Sequence, residues 1–283
     1  MNISVYITSY NQKDFLREAI ESVLDQTLMP TEILIVDDAS TDGSQDLIRE
    51  YQSQHPHLIN FHFNDKNLGI TKSRNVALSL VKGDYITGLD GDDAFLPRKL
   101  EIQKQLVLQT GASLVFTNFY YAEDVLDNLI QIWCRHKDQL PRAANLYEAV
   151  LCRNFPDETL FRSELFAAGL LEKIGGYDEN LQIYEDFEFK IRLSKIAKAA
   201  YSIEPLTIYR LHVKGLSRKA KELHLKSLSY IYKKHGEDID ALAEASKTKI
   251  KDYLARFEDK EIPKSTYHKP SLLKRVLRKI TKM

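Results

Sequence analysis

The fold is constrained most by a regular alternation of short apolar runs with segments of helical periodicity in the first part of the chain. The apolar runs predict strands, and the periodic segments predict helices. The predicted strands are 3–8, 32–36, 58–63 and 85–89, and the predicted helices are 15–24, 45–52, 71–81 and 98–108. Strands and helices that alternate at such short spacing indicate an α/β fold with a mainly parallel, doubly wound sheet.

Polar residues follow several of these strands directly. Asp90, Asp92 and Asp93 stand where strand 85–89 ends, and Asp38 and Arg74 are expected along the same edge of the sheet. In open α/β sheets, ligands bind in the crevice beyond the carboxyl ends of the strands. Three clustered carboxylates suit a hard, oxygen-binding cation such as Mg²⁺ or Mn²⁺. A solvated acidic turn explains the same residues, because Asp and Gly favour turns, and these residues alone leave both interpretations open.

The second part of the chain is less regular. The lone Trp133 is predicted to lie in the core. We predict a strand at 113–118, an irregular insertion at 118–144, a short helix at 164–171, a helix at 185–196, a strand at 200–208 and helices beyond Ser217.

Composition excludes several classes of protein. Of the 283 residues, 43% are hydrophobic and 28% are charged, which is typical of a globular protein and excludes a wholly disordered chain. The 40 basic residues equal the 40 acidic ones in number, so we expect no nucleic-acid partner. Cys134 and Cys152 are too few for a disulfide framework or a zinc site, which indicates a reducing compartment. Because the chain has no signal-peptide pattern and no apolar run of ~18 residues, we predict a cytoplasmic protein.

Five short motifs, taken in order, resemble those of the family 2 glycosyltransferases of the GT-A fold. They are TSYN at 8–11, VDDASTD at 36–42, NLG at 67–69 with RN at 74–75, DGDD at 90–93 and YED at 184–186. The resemblance covers residues 1–215 and implies a GT-A-type α/β/α sandwich with a mainly parallel central sheet. It also implies an inverting enzyme that uses Mn²⁺ or Mg²⁺ to move a sugar from a nucleoside diphosphate sugar, most simply a UDP-sugar, to an acceptor hydroxyl. The implied acceptor is a carbohydrate or a lipid-linked saccharide, in bacterial cell-surface polysaccharide or glycolipid synthesis.

The resemblance assigns donor contacts to the first motifs. Thr8 and Tyr10 resemble the residues that contact the base and the ribose, with Tyr10 alongside the uracil. Asp38 resembles the carboxylate that binds the edge of the base, and Arg74 resembles a nucleotide contact.

The acidic motif is implied to hold both the donor and the metal. Asp90 and Asp92 match donor contacts, and Asp92 and Asp93 match metal ligands. The resemblance does not divide the ribose and metal roles between Asp92 and Asp93.

A single displacement with inversion needs one base to take the proton of the acceptor hydroxyl. Asp186 matches the family's catalytic base, and we expect the neighbouring Glu185 to raise the pKa of Asp186 by like-charge repulsion. Apart from the other motifs, the two acids are better explained as residues that stabilise the N-terminus of a helix than as catalytic residues.

Arg210 and His212, with Ser217 after them, resemble a flexible segment that folds over the donor diphosphate. Arginine suits this role because its planar fork binds phosphate oxygens in pairs. The alternative is an exposed strand end with an ordinary surface arginine.

We therefore divide the chain into a glycosyltransferase domain, 1–215, and a helical C-terminal region, 216–283. The first has a nucleotide-binding half, 1–110, and an acceptor-binding half, 111–215. Residues 263–283 are basic, contain no acid and predict a short amphipathic helix. Such a helix can lie on an anionic membrane, which would place the protein on its inner face, or it can dock on the preceding helices.

Three other functions were weighed against this one. A sugar nucleotidyltransferase would need a Gly-rich, Arg-containing loop after the first strand, where this chain has SYNQ at 9–12. A haloacid-dehalogenase-type phosphatase places its Asp-x-Asp motif on the first strand and follows it with Thr or Val, where this chain has Ala94. A non-catalytic nucleotide-sugar-binding module would keep the acidic motif and lack the base, so Asp186 argues against it.

Overall fold

A computed structural model describes residues 1–123, 125–126, 128–211 and 221–258. The chain divides into two units, Met1–Arg218 and Lys219–Met283. In the first unit, the described residues form a nine-stranded sheet flanked by helices. The strands are β1 Ile3–Ser9, β2 Glu32–Asp37, β3 Ile59–Phe63, β4 Tyr85–Asp90, β5 Ala94–Phe95, β6 Leu114–Ala122, β7 Leu129–Ile132, β8 Arg162–Ala167 and β9 Ala199–Arg210.

The helices alternate with the strands in the first half of this unit and are spaced more widely in the second half. They are α1 Lys13–Leu24, α2 Ser44–Gln54, α3 Ile70–Leu80, α4 Lys99–Thr110, α5 Leu146–Leu151, α6 Leu171–Ile174 and α7 Glu185–Ile196. The predicted α/β fold class is confirmed, since each of the four predicted strand–helix pairs is present.

The order of strands in the sheet is β3-β2-β1-β4-β8-β6-β9-β5, with β7 paired to β6. The first four strands run parallel to one another. Strand β8 is antiparallel to both of its neighbours, β4 and β6, whereas β6 and β9 are parallel. The sheet is therefore purely parallel where the N-terminal motifs lie and mixed beyond β4.

The core follows from the sequence pattern. Every residue of β1 is buried, as expected for a central strand that is covered by helices on both faces. Helix α1 buries Leu16, Ala19, Ile20 and Val23, whose spacing puts them on one face of the helix. Trp133 lies in the core as predicted, stacked on Phe119 at 5.0 Å between ring centroids.

Two predictions of secondary structure are wrong. The segment 164–171, predicted as a helix, forms β8 and a following 3-10 turn at Ala168–Leu170. Glu, Leu and Ala favour helices, but pairing with β4 and β6 on both sides outweighs that weak preference. The insertion predicted at 118–144 is also more regular than expected, because β6 continues to Ala122 and pairs with β7.

The described part of the second unit is helical, with α8 Lys221–Lys234, α9 Gly236–Asp240 and α10 Glu244–Glu258. Helices α8 and α10 pack together through the stacked rings of His224 and Phe257, whose centroids are 5.7 Å apart. The predicted amphipathic helix at 263–283 lies outside the described residues. Among the residues that are described, no helix is both long and apolar enough to cross a membrane.

Candidate active site

The candidate site lies where β1, β2 and β4 end level with one another. Thr8 on β1 is in register with Val36 on β2 and with Asp90 on β4. The hydroxyl of Thr8 lies 3.5 Å from Oδ1 of Asp90. The parallel register therefore brings the residues that follow three strands to one edge of the sheet.

Asp90, Asp92 and Asp93 form a tight cluster of carboxylates at this edge. One oxygen from each residue lies within 4.8 Å of those of the other two. Asp93 is only 2% exposed, and burial together with the charges of Asp92 and Asp90 raises the pKa of Asp93 well above its usual range. Ionising all three carboxylates is unfavourable unless a positive charge offsets their repulsion. Carboxylate oxygens are also the ligands that hard divalent cations prefer. These three residues fit an Mn²⁺ or Mg²⁺ ion.

Arg74, at the start of α3, joins the acidic cluster to α7. Its two terminal nitrogens donate hydrogen bonds to Asp90 Oδ1 and to Glu185 Oε1, each at 2.6 Å. Burial alone would raise the pKa of Asp90, but the charge of Arg74 outweighs it and holds that pKa below its usual value. Arg74 thus lies within the site and links its two acidic segments.

Glu185 and Asp186 form the first turn of α7, which begins after Tyr184. Tyr184 has a φ of 64°, a left-handed conformation that is uncommon for a residue other than glycine. The side chain of Glu185 is buried against Arg74, whereas that of Asp186 is 35% exposed. Burial, reinforced by the charge of Asp186 and opposed by Arg74, raises the pKa of Glu185 to about 7. The two neighbouring acids therefore have different environments, and Asp186 is the one that a substrate can reach.

The expected effect of Glu185 on the pKa of Asp186 is wrong. Burial would raise the pKa of Asp186, but the charges of Lys190, Arg162 and Arg74 outweigh it and hold that pKa well below its usual range. Lys190 donates a hydrogen bond to Asp186 Oδ2 at 2.9 Å, and its Nζ lies 3.6 Å from Glu164 Oε1. Cations on three separate elements keep Asp186 ionised.

Asp38 lies at the same edge of the sheet, after β2, and organises the loop before α3. Its two carboxylate oxygens accept hydrogen bonds from the Asn64 side chain and from the backbone N–H groups of Leu68 and Gly69, each at 2.8 Å. Asp38 is 4% exposed and does not line the cavity that contains Asp186. Tyr10, in contrast, is 46% exposed.

Arg210 is not the surface arginine of the alternative interpretation, because it is only 2% exposed at the end of β9. Its backbone N–H donates to Asp93 Oδ1 at 2.9 Å, and its side-chain Nε donates to the backbone oxygen of Asp92 at 2.8 Å. The guanidinium also forms an ion pair with Glu18. Arg210 therefore fixes the position of the acidic motif through hydrogen bonds to Asp92 and Asp93. His212 lies outside the described residues.

The sequence did not predict several residues of the cavity at this site. Asp90, Asp93 and Asp186 line it together, as do Arg74 and Gly88. A Cβ atom on Gly88 would lie 2.3 Å from the Tyr6 ring, so only glycine fits there. The lining residues that the sequence analysis missed are Tyr6, Arg162, Ser163, Glu164, Phe166, Tyr177 and Lys190. The sequence offered no strand signal here, because in FRSELF at 161–166 three consecutive polar residues replace the alternation of polar and apolar residues that is typical of a strand.

A family model described as Glycosyl transferase family 2 matches residues 4–169 of the chain. The chondroitin synthase of Escherichia coli is 29% identical over 205 residues, which are 69% of this chain and 26% of that enzyme. The matched segments make up 26% to 63% of the length of three curated relatives, so the chain spans less than two thirds of each.

Solved structures share the fold at low sequence identity. TarS 1–349 of S. aureus in complex with UDP-GlcNAc aligns with a TM-score of 0.66 and 19% identity, covering 96% of this chain and 76% of that one. The mannosyltransferase PcManGT of Pyrobaculum calidifontis, in complex with GDP-Man and Mn²⁺, aligns with a TM-score of 0.59 and 17% identity, covering 90% and 69%. At these identities, the likeness concerns the fold.

Proposed function

Because the chain belongs to glycosyl transferase family 2, we propose that it transfers a sugar from a nucleoside diphosphate sugar to an acceptor hydroxyl, with inversion at the anomeric carbon. The observation that carries this proposal is that Asp90 and Asp93 line the same cavity as Asp186, although Asp186 comes from a distant segment of the chain. A site for a phosphate-binding cation thus stands beside a carboxylate that is exposed to substrate. This is the pair of functions that a single displacement of a nucleoside diphosphate requires.

We propose a UDP-linked donor and an acceptor in bacterial cell-surface polysaccharide or glycolipid synthesis. The UDP-GlcNAc complex of TarS supports the donor class, and the name of the related chondroitin synthase supports a polysaccharide product. In this proposal, residues 1–110 bind the nucleotide and 111–215 bind the acceptor. Thr8 and Tyr10 contact the base and ribose, while Asp38 contacts the edge of the base.

Asp92 and Asp93 are the proposed ligands of Mn²⁺ or Mg²⁺, with Asp90 and Asp92 also close to the donor. The oxygen-only ligand set and the mutual repulsion of the carboxylates support this assignment, as does the Mn²⁺ ion in the PcManGT complex. When bound, such a cation neutralises negative charge on a diphosphate leaving group. Arg210 keeps the acidic motif in position, and His212 belongs to the same proposed donor-binding segment.

Asp186 is the proposed base, which accepts the proton of the acceptor hydroxyl as that oxygen attacks the anomeric carbon. Its carboxylate is ionised at neutral pH because the charges of Lys190, Arg162 and Arg74 outweigh the effect of burial, so it is in the unprotonated form that a base requires. Its side chain is 35% exposed and therefore accessible to an acceptor. Glu185 acts through Arg74, whose position its buried carboxylate fixes.

The proposal is tested by measuring release of nucleoside diphosphate from candidate donors with and without Mn²⁺. We expect Asp186→Asn to bind the donor with wild-type affinity and to lose turnover by at least about 100-fold, since general base catalysis contributes 10²–10⁴-fold. Asp46→Asn, at an exposed position on α2, is the matched control. Full turnover by Asp186→Asn would remove this residue from the mechanism.

Measurements on the wild-type protein alone distinguish an enzyme from a non-catalytic nucleotide-sugar-binding module. Such a module would show a metal-dependent rise in melting temperature with a nucleotide sugar, because ligands that bind only the folded state stabilise it. It would release no nucleoside diphosphate with any donor that stabilises it. A thermal-shift screen of nucleotide sugars with Mn²⁺ therefore precedes the turnover assay and selects its donors.

A further inference from the structure

Arg162, the first residue of β8, lines the same cavity as Asp90, Asp93 and Asp186. Its guanidinium carbon lies 3.6 Å from the centroid of the Tyr209 ring. Its Nε atom is buried and has no hydrogen-bond partner. Within the described part of the chain, Arg162 donates no hydrogen bond and forms no ion pair. An arginine with five N–H donors is therefore held at the candidate site with its hydrogen-bonding capacity unused.

The other two cations that line the cavity are already committed. Arg74 donates to Asp90 and Glu185 at 2.6 Å. Lys190 donates to Asp186 at 2.9 Å and lies 3.6 Å from Glu164. Of the cavity's described cations, Arg162 is thus the one that can bind a new anion without giving up an ion pair.

An irregularity in β8 holds Arg162 in this position. The β6–β8 register shifts between the pairs Val115↔Leu165 and Thr117↔Arg162, which leaves one extra residue, Ser163, on β8. Ser163 has a φ of 47°, a left-handed conformation that is strained for serine. Such bulges bend a strand, and beside active sites they redirect side chains.

Buried donors fix the backbone of this bulge. The carbonyl oxygen of Ser163 accepts hydrogen bonds from Lys99 Nζ at 2.7 Å, from Thr87 Oγ1 at 3.1 Å and from Gln103 Nε2 at 3.4 Å. All three donors belong to buried residues of β4 and α4. Strain that is held by several buried groups is typical of functional positions, and here its effect is to set the direction of the Arg162 side chain.

From these observations we infer that Arg162 binds the β-phosphate of the nucleoside diphosphate, which is the phosphate that carries the sugar in the donor. The inference rests on the proposed function. Arg162 lines one cavity together with Asp93, the proposed metal ligand, and Asp186, the proposed base. The phosphate that leaves the anomeric carbon belongs in this cavity. The planar guanidinium can donate two parallel hydrogen bonds to its oxygens.

This role differs from that of Arg210. The Nε of Arg210 donates to the backbone oxygen of Asp92, and its guanidinium pairs with Glu18. Arg210 is only 2% exposed, whereas Arg162 is half-buried and reaches the cavity. The two arginines therefore have different roles at the acidic motif, Arg210 as a support and Arg162 as a ligand-binding residue.

The experiment is isothermal titration of wild type and Arg162→Gln with UDP and with UMP, each in the presence of Mn²⁺. UMP lacks the β-phosphate, so the ratio of the two affinities reports contacts to that group. We expect Arg162→Gln to weaken UDP binding by about 10- to 100-fold, as expected for loss of charge-assisted hydrogen bonds of 1.5–3 kcal/mol, and to change UMP binding by less than about twofold. Arg162→Lys, which keeps the charge and loses the fork, should be intermediate, and it carries the test if Arg162→Gln does not fold. Arg49→Gln, at an exposed ion pair, is the control.

Unchanged affinity for both UDP and UMP in both Arg162 variants would overturn the inference, and it would leave an acidic group on the acceptor as the ligand of Arg162. Equal weakening of UDP and UMP would also overturn it, since the contact would then lie elsewhere on the nucleotide. If wild type binds GDP instead of UDP, the comparison is made with GDP and GMP. Failure of wild type to bind any nucleoside diphosphate with Mn²⁺ would instead contradict the proposed function itself.

Discussion

Lys190 donates a hydrogen bond to Asp186, four residues before it on α7, at 2.9 Å. The pair occupies one face of the helix, as residues four apart do. Lys190 is 3% exposed and also lies near the buried Glu164, so its charge acts in a region that little water reaches. The lysine therefore does two things for the proposed base. It fixes the orientation of the carboxylate, and it favours the ionised form.

Replacing Lys190 with methionine should move the pH dependence of turnover. The pKa of Asp186 is held low chiefly by Lys190, so Lys190→Met should raise that pKa. Because the base must be ionised to accept a proton, the acidic limb of the pH profile of kcat/KM should move to higher pH. Lys195→Met, at an exposed position on the same helix, is the control and should leave that limb in place. An unmoved limb in Lys190→Met would show that Lys190 does not set the charge of the base.

Replacing Asp93 with asparagine should abolish stabilisation by metal without lowering the stability of the metal-free protein. Asp93 is buried beside two other carboxylates, and its pKa is raised by burial and by their charges. The neutral amide would remove this repulsion, so the variant without metal should melt at the wild-type temperature or above. Addition of Mn²⁺ should raise the melting temperature of wild type and leave that of Asp93→Asn nearly unchanged. Asp84→Asn, an exposed acid before β4, is the control, and an equal Mn²⁺ shift in Asp93→Asn would exclude Asp93 as a ligand.

The parallel half of the fold was predictable from the sequence because each of its elements has a local signal. The buried run of β1 and the spacing of Leu16, Ala19, Ile20 and Val23 define their own structure. The carboxyl-end rule then puts Asp90 at the ligand-binding edge without knowledge of any contact. Short, local motifs were therefore sufficient to predict both the fold class and the acidic part of the candidate site.

The basic half of the candidate site was not predictable in the same way. Arg162 lies on β8, a strand whose residues favour a helix and which forms only because it fits between β4 and β6. The pKa of Asp186 likewise depends on Lys190, Arg162 and Arg74, which come from three separate elements. From the sequence, the neighbouring Glu185 predicted a raised pKa for Asp186, because its repulsion follows from adjacency in the chain. The cations that lower this pKa could not be identified in the same way. Both the formation of β8 and the pKa of Asp186 thus depend on contacts between residues that are distant in the sequence.

Removal of residues 263–283 tests the predicted membrane helix. The segment is basic and amphipathic by its sequence, and it lies outside the described residues. If it binds anionic lipid, the full chain should sediment with vesicles that contain phosphatidylserine and the shortened chain should remain in the supernatant. Vesicles of neutral lipid are the control, and they should retain little of either form. Equal sedimentation of both forms with anionic vesicles would contradict a membrane-binding role.

Lys99 should give the stability of the protein a recognisable pH dependence. Its ammonium group is completely buried between Ser163 and Gln103, and burial lowers the pKa of Lys99 to about 7 despite the opposing charge of Glu164. In the unfolded chain a lysine has a pKa of about 10.4. Between these two values the unfolded state holds a proton that the folded state has released, so unfolding takes up a proton and stability rises with pH.

The variant Lys99→Met lacks this titration. The free energy of unfolding of wild type relative to Lys99→Met should therefore increase by on the order of 1 kcal/mol per pH unit between pH 7 and pH 10. Below pH 7 both states of the wild type are protonated, so the difference should become constant. Urea denaturation at several pH values measures it, with Lys104→Met on the same helix as the control. Because Thr87 and Gln103 still donate to the Ser163 carbonyl, the bulge should survive the substitution. A difference that stays constant from pH 7 to pH 10 would mean that Lys99 keeps its proton when the protein folds.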